Sequence, residues 1–123
     1  MNRFLTASIA AFAILAPVVA NAVPASCYLD DNGTTLIEGP CQLKWLDHKG
    51  SFSINNGKFE GMAAHDNTGA MIGAFYELND KTGQPITGTL EAMHKVGDCW
   101  VNDTQTICAG KPGERVGVNH DGY

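Results

Sequence analysis

Beyond its first 22 residues, the chain has no stretch in which apolar residues recur at helical spacing for long enough to make a helix. Short runs of alternating or β-prone residues stand instead between turn signals, which return about every 8 to 12 positions. The signals are Asn32-Gly33, Gly39-Pro40, Asp47 to Gly50, Asn56-Gly57, Asp66 to Gly69, Asp80 to Gly83 and Gly97-Asp98. This pattern predicts an all-β fold, a small antiparallel meander forming a sandwich or barrel. Strands are expected near 26–31, 34–38, 41–46, 51–55, 58–65, 70–78, 87–94, 98–102 and 105–109. The last stretch, 111–123, is polar and glycine-rich and is expected to be a flexible tail.

The first 22 residues follow a different rule. Arg3 precedes an apolar run from Ile9 to Ala20, and Ala20-Asn21-Ala22 closes it with an A-x-A cleavage signal. That is the plan of a cleaved secretory signal peptide over 1–22. The run is shorter than the roughly 20 residues needed to span a bilayer, and Pro17 interrupts it, so no stable membrane insertion is expected after cleavage. The mature chain would start at Val23, with a single β domain over 23–110. Its expected location is the periplasm or the outside of the cell.

All four cysteines fall in the mature part. An even count in a small exported chain reads as a disulfide framework. Four cysteines allow three pairings, and sequence order favours Cys27–Cys41 and Cys99–Cys108, because each pair brackets a hairpin. In "CWVNDTQTIC" a two-residue turn at Asp103-Thr104 sets Asn102 opposite Gln105, Trp100 opposite Ile107 and Cys99 opposite Cys108. Pairing alternates outward from the turn, so the two cysteines form a non-hydrogen-bonded pair with Cα atoms roughly 4.5 Å apart. That spacing lies within disulfide reach. Trp100 then points to the face opposite Cys99 and is expected to be core, beside Ile107.

Two other hairpins carry a register. Asn32-Gly33 is the strongest short hairpin signal, and it pairs Leu29 with Leu36, Tyr28 with Ile37 and Cys27 with Glu38. Gly39-Pro40 must then bend the chain back for Cys41 to reach Cys27. Around "DNTG", a four-residue loop pairs His65 with Ala70, Ala63 with Ile72, Gly61 with Ala74 and Phe59 with Tyr76. Small residues on both strands allow close packing by another element.

A glycine before "CWVN", an "IC" beyond the tryptophan, and the earlier "GPC" and "GSFSI" resemble the corresponding parts of small, mostly uncharacterised exported proteins of Gram-negative bacteria. The resemblance implies an envelope or exported setting. It carries over no catalytic residue.

Charge and candidate chemistry narrow the functional classes. Loss of Arg3 with the leader leaves seven basic against thirteen acidic residues, a net charge of −6, with no basic cluster. Phosphate backbones would repel such a surface, so no nucleic-acid partner is expected, whereas a cationic protein would be steered toward it. No serine of the mature chain lies in a nucleophile-elbow context, and the cysteines are engaged in bridges, so no catalytic residue and no cofactor are expected. His65 and His94 are weak metal candidates, with Met62, Met71 and Met93 as soft thioethers for Cu(I). His48 and His120 sit in turn and tail, and no local spacing makes the histidines converge. The expectation is an exported envelope binding module rather than an enzyme, with inhibition of a cationic cell-wall hydrolase or toxin as its specific form and contacts on the loops near 47–50, 66–69 and 80–83. The alternative is a small-ligand or metal-handling periplasmic protein.

Overall fold

A computed structural model describes residues 21–86 and 91–117. It contains eight strands: β1 (Val23–Asp31), β2 (Thr34–Trp45), β3 (Phe52–Asn55), β4 (Phe59–His65), β5 (Met71–Glu77), β6 (His94–Val96), β7 (Cys99–Val101) and β8 (Gln105–Gly110). They form one antiparallel sheet in the order β5-β4-β3-β2-β1-β8-β7-β6. A bridge between Met71 and Met93 brings the two ends of this sheet together, and the sheet curls into a nearly closed barrel. There is no helix among the described residues, and so none long and apolar enough to cross a membrane.

Three expectations about the strands are corrected. The runs 34–38 and 41–46 are one strand, because Gly39 and Pro40 stay paired with Cys27 and Ser26. β3 pairs only with Gln42–Trp45, so β2 carries Pro40 where one of its edges is open. The strand expected at 87–94 is displaced: β6 starts at His94, and residues 87–90 lie outside the described residues.

The third correction is register. Asn32-Gly33 does form the tight turn, with φ of 53° and 89°, the positive pair that a type I′ turn requires. Beyond the turn, a bulge leaves Leu36 unpaired and sets Leu29 opposite Ile37 and Cys27 opposite Gly39. One extra residue restores parity. Cys27 and Cys41 therefore share the inner face, and their Cα atoms are 5.9 Å apart without any turn at Gly39-Pro40. In the β4–β5 hairpin the loop has five residues rather than four: Asp66 N–H donates to the Ala70 carbonyl, and His65 pairs with Met71. Gly61 thus faces Phe75 and Ala63 faces Gly73, turning Met71, Gly73 and Phe75 inward together with Gly61 and Ala63.

The interior is built from Leu29, Ile37, Ile54, Phe75 and Ile107, all fully enclosed. The barrel is flattened where β4 crosses β1 and β8. A Cβ at Gly61 would stand 2.5 Å from Leu29 Cδ1, so only glycine allows the walls to meet there. The second disulfide lies outside. Cys99 and Cys108 are opposite one another with Cα atoms 4.0 Å apart, closer than the spacing rule suggests. They pack with Tyr28 and Val116 in a separate cluster on the outer surface. Trp100 is turned to the opposite face and packs against the interior cluster, across from Ile107. Of the segment expected as a tail, residues 111–117 are described. Gly113 N–H donates to Ser26 Oγ at 2.9 Å, and Val116 is buried over the outer disulfide.

The seam between β5 and the far edge of the sheet is closed by a mixed ladder. Three carbonyls of β5 accept in turn: Met71 from Met93 N–H at 2.7 Å, Gly73 from the Gln105 side-chain amide at 3.1 Å, and Phe75 from Ile86 N–H at 2.6 Å. The Gln105 side-chain oxygen accepts from Asn102 Nδ2 at 2.8 Å, and that amide also reaches the Glu91 carbonyl. Asn102 Oδ1 accepts from the backbone N–H groups of Thr104 and Gln105. Gln105 is 1% exposed, so its bonds to Asn102 and Gly73 are made out of water.

Two predictions follow from these elements. Gln105→Leu leaves the Gly73 carbonyl and an Asn102 amide hydrogen unpaired in the interior, which should cost about 2–4 kcal/mol in urea unfolding. A loss below about 0.5 kcal/mol would mean that the backbone bonds alone hold the seam. Removing the outer disulfide by Cys99→Ser/Cys108→Ser should cost roughly 3 kcal/mol in the chain-entropy model. Thermal melts should then show a midpoint lower by about 10 °C or more.

Candidate binding groove

Hairpin loops alternate between the two ends of the barrel. The turns at 32–33, 56–58 and 102–104 lie at the end closed by Gln105 and Asn102. The loops at 46–51 and 66–70 and the turn at 97–98 lie at the other end. There the inward-facing rows run out into solvent, and the core becomes a surface.

That surface is a groove of about 590 Å³. Its floor is the end of the core itself: Ala25, Leu43, Phe52, Trp100 and Ala109. Trp45 ends β2 on the same inward row as Cys41 and Leu43, but it is 49% exposed because the barrel stops beneath it. Its indole meets the Phe52 ring edge-on, with centroids 5.7 Å apart and planes at 61°. Both tryptophans of the chain line the groove. The rim is charged in both signs. Lys95 and Asp98 stand on the β6–β7 side, and Lys111 and Glu114 come from the segment after β8. Lys95 Nζ lies 5.9 Å from the centre of the Trp100 ring. The Lys111 backbone N–H donates to Glu114 Oε1 at 2.9 Å, which fixes the turn that carries both side chains. A second depression, of about 560 Å³, shares Pro24, Ala25 and Pro112 but is lined elsewhere by Gln42, Asn55 and Asn56, without an aromatic ring.

The loops flanking the mouth are held by their own aspartates. Asp47 Oδ1 accepts from Lys49 N–H at 2.7 Å and Ser51 N–H at 3.0 Å. Asp66 Oδ1 accepts from the hydroxyl and the N–H of Thr68 and from Ala70 N–H. These bonds favour the ionised form. The Ser51 hydroxyl first, then the backbone N–H groups, lower the Asp47 pKa to about 2. The Thr68 hydroxyl is the main cause of the lowered Asp66 value. Asp80 repeats the pattern with Thr82, its backbone N–H being the leading cause.

Asp47, Ser51 and His65 come together, and their arrangement orders the loop instead of activating the serine. Ser51 Oγ accepts from His65 N–H at 3.1 Å and lies 3.1 Å from His65 Nδ1. Which of Ser51 Oγ and His65 Nδ1 donates in the second contact follows from the imidazole tautomer. Ser51 is also only 2% exposed.

The other predicted site residues are scattered. His65 is occupied with Ser51, His94 is exposed on β6, and His48 is exposed in the β2–β3 loop. His120 lies outside the described residues. Met71 and Met93 meet inside the barrel, but Met62 alternates to the outer face, opposite Ala74. Among the described residues no group of three or more His, Cys, Asp or Glu is placed to hold a metal ion. Of the three loops expected to make contacts, 47–50 and 66–69 share the mouth end, whereas 80–83 follows β5 at the closed end. Sequence reasoning missed Trp45 and Phe52. The alternation Cys41, Leu43, Trp45 was the available signal, since it continues the inner row of β2 to the strand's last residue.

The Asp47 hydrogen bonds make a pH prediction. A folded pKa lowered to about 2 contributes stability that is fully present above the unfolded value near 3.9 and is lost as pH falls through about 2. Asp47→Ala should therefore lower the melting temperature at pH 7. The gap from the parent should narrow below about pH 4 and close near pH 2 in a series of thermal melts.

The chain was compared with models of known protein families, with curated proteins and with solved structures, and none of them matches it.

Proposed function

We propose that this chain is an exported binding module of the bacterial envelope, acting through the mouth end of its barrel on a protein partner. The partner's class is a cationic cell-wall hydrolase or toxin. The observation that carries the reading is the asymmetry of the barrel. One end is plugged by Gln105 and Asn102, while the other presents Trp45, half-exposed and continuous with the core, at the end that also carries the loops stiffened by ionised Asp47 and Asp66. Exposed aromatic groups beside rigid loops are the usual anchors of recognition surfaces.

Export is supported from two directions. Cleavage after Ala22 would leave Val23 as the first residue, and β1 begins at Val23, so the whole barrel would survive processing. Both disulfides also suit an oxidising compartment. The mature net charge of −6 favours encounter with a cationic partner by electrostatic steering.

The test uses the mature chain and a cationic lysozyme as probe, by surface-based kinetics. The expected result is a saturable association whose rate falls steeply with salt. Trp45→Ala should weaken it while lowering the melting temperature by only a few degrees, about what loss of the Phe52 contact costs, and Asp80→Asn at the closed end should leave it unchanged. Salt-insensitive association, no association at low salt, or loss through Asp80→Asn alone would each sink the proposal.

A further inference from the structure

The groove at the mouth points to a second ligand chemistry, one that goes beyond the protein-binding reading and stands without it. We infer that the groove between Trp45 and Trp100 binds a neutral saccharide of one to two hexose units.

Size comes first. About 590 Å³ falls within the range of small-ligand sites, and one side of the groove is open, so a short oligosaccharide can lie in it with its ends in solvent. The floor is apolar. Trp45, half-exposed, offers its ring to the C–H surface of a pyranose, which is apolar although its rim is hydroxylated, and Trp100 and Phe52 line the groove beside it. The groove's own rim has the matching character. Lys95 and Lys111 are donors and Asp98 and Glu114 are acceptors, and a hydroxyl, which is both, can use either kind.

Charge balance excludes other occupants. Two ammonium groups and two carboxylates leave no net charge at the rim, so neither a cation nor an anion gains a net Coulombic advantage. The face of Trp100, where a cationic ligand would gain most, already carries Lys95 Nζ at 5.9 Å. A lipid chain would have to strip water from four charged groups without replacing their hydrogen bonds, which is costly. A neutral polyol meets none of these obstacles.

The experiment is set by the tryptophans. Because the chain has two and both line the groove, its intrinsic emission reports on this site alone. The mature protein is titrated with cellobiose, maltose, lactose and N,N′-diacetylchitobiose. At least one should give a saturable change in emission, with an affinity that changes less than about twofold between low and high salt because no ion pair forms. Trp45→Ala should weaken binding at least about tenfold. Asp98→Asn should weaken it roughly three- to tenfold. The Asp98 variant keeps the fold, since the residue pairs with Ala109 through its backbone carbonyl and not its carboxylate. The inference is overturned if none of the four sugars gives a saturable change up to about 50 mM, where even a very weak site would fill. It is overturned equally if glucosamine or glucuronate binds more tightly than the neutral sugars, or if only a tyrosine- or proline-containing peptide alters the emission. Lysozyme kinetics play no part in these readings, so either proposal can fail alone.

Discussion

The carbonyl groups along the free edge of β5 set the terms for the rest of this barrel. An eight-stranded sheet with no matching final strand leaves one edge unpaired, and buried backbone acceptors left without partners are expensive. Met93 and Ile86 supply ordinary backbone donors at either side. Between them the gap is filled by a side chain, Gln105 from β8, which reaches across the interior to the Gly73 carbonyl. Glycine at position 73 keeps this approach close. A Cβ there would stand 3.1 Å from Met93 Sδ and 3.2 Å from Gln105 Oε1. Asn102 in turn holds Gln105, and its own carbonyl oxygen caps the β7–β8 turn. One amide pair therefore joins three tasks: it closes the seam, plugs one end and shapes the last hairpin.

Filling that end with amides determines where a ligand can go. Leu29, Ile107 and Phe75 are fully enclosed, and β4 comes so close that a side chain at Gly61 would force Leu29 to shift. At the other end the core runs out into the groove around Trp45. The closure has a local cost too. Asp31 stands opposite Gln105 in the β1–β8 register, and its Oδ1 is enclosed without a hydrogen-bond partner among the described residues. Burial, then the neighbouring Asp30, raises its pKa. The two disulfides stabilise regions that the seam network does not reach. Cys27–Cys41 ties β1 to β2 from inside, and Cys99–Cys108 locks the short β7 to β8 from outside, beneath Val116.

Period-two alternation and turn chemistry were enough to read the fold class, the two disulfides and the last hairpin, down to Trp100 facing Ile107. That hairpin was legible because a two-residue turn leaves only one register. The other two hairpins slipped by one residue for reasons that single residues do not announce. The bulge at Leu36 becomes necessary only once Cys27 and Cys41 must share a face. The loop at 66–70 takes five residues because Asp66 Oδ1 gathers the donors of Thr68 and Ala70 around itself. The seam was illegible for a deeper reason. Its partners, Gly73 and Gln105, are 32 residues apart, and the contact is between a side chain and a backbone carbonyl, so no alternation pattern encodes it. The groove was half legible: Trp100 was placed correctly in the core face, but the end of the barrel, which exposes Trp45, depends on where every strand stops.

The mouth also differs from an ordinary exposed apolar patch in how little it must reorganise. Asp47 and Asp66 keep the neighbouring loops ordered through bonds to ionised carboxylates, and these persist at any pH well above their lowered pKa values. His65 links the two loops by donating its N–H to Ser51 Oγ, so β4 and the β2–β3 loop are fixed to each other. Trp45 is braced by Phe52, and Trp100 is packed on the core. Binding loses affinity chiefly where side chains and loops must be ordered on contact, at roughly 0.5–1.5 kcal/mol for each immobilised side chain. At this end most of that ordering is already complete in the folded protein. The same preorganisation would serve a protein surface or a sugar ring, and it is set apart from the closed end, where Gln105 and Asn102 fill the barrel.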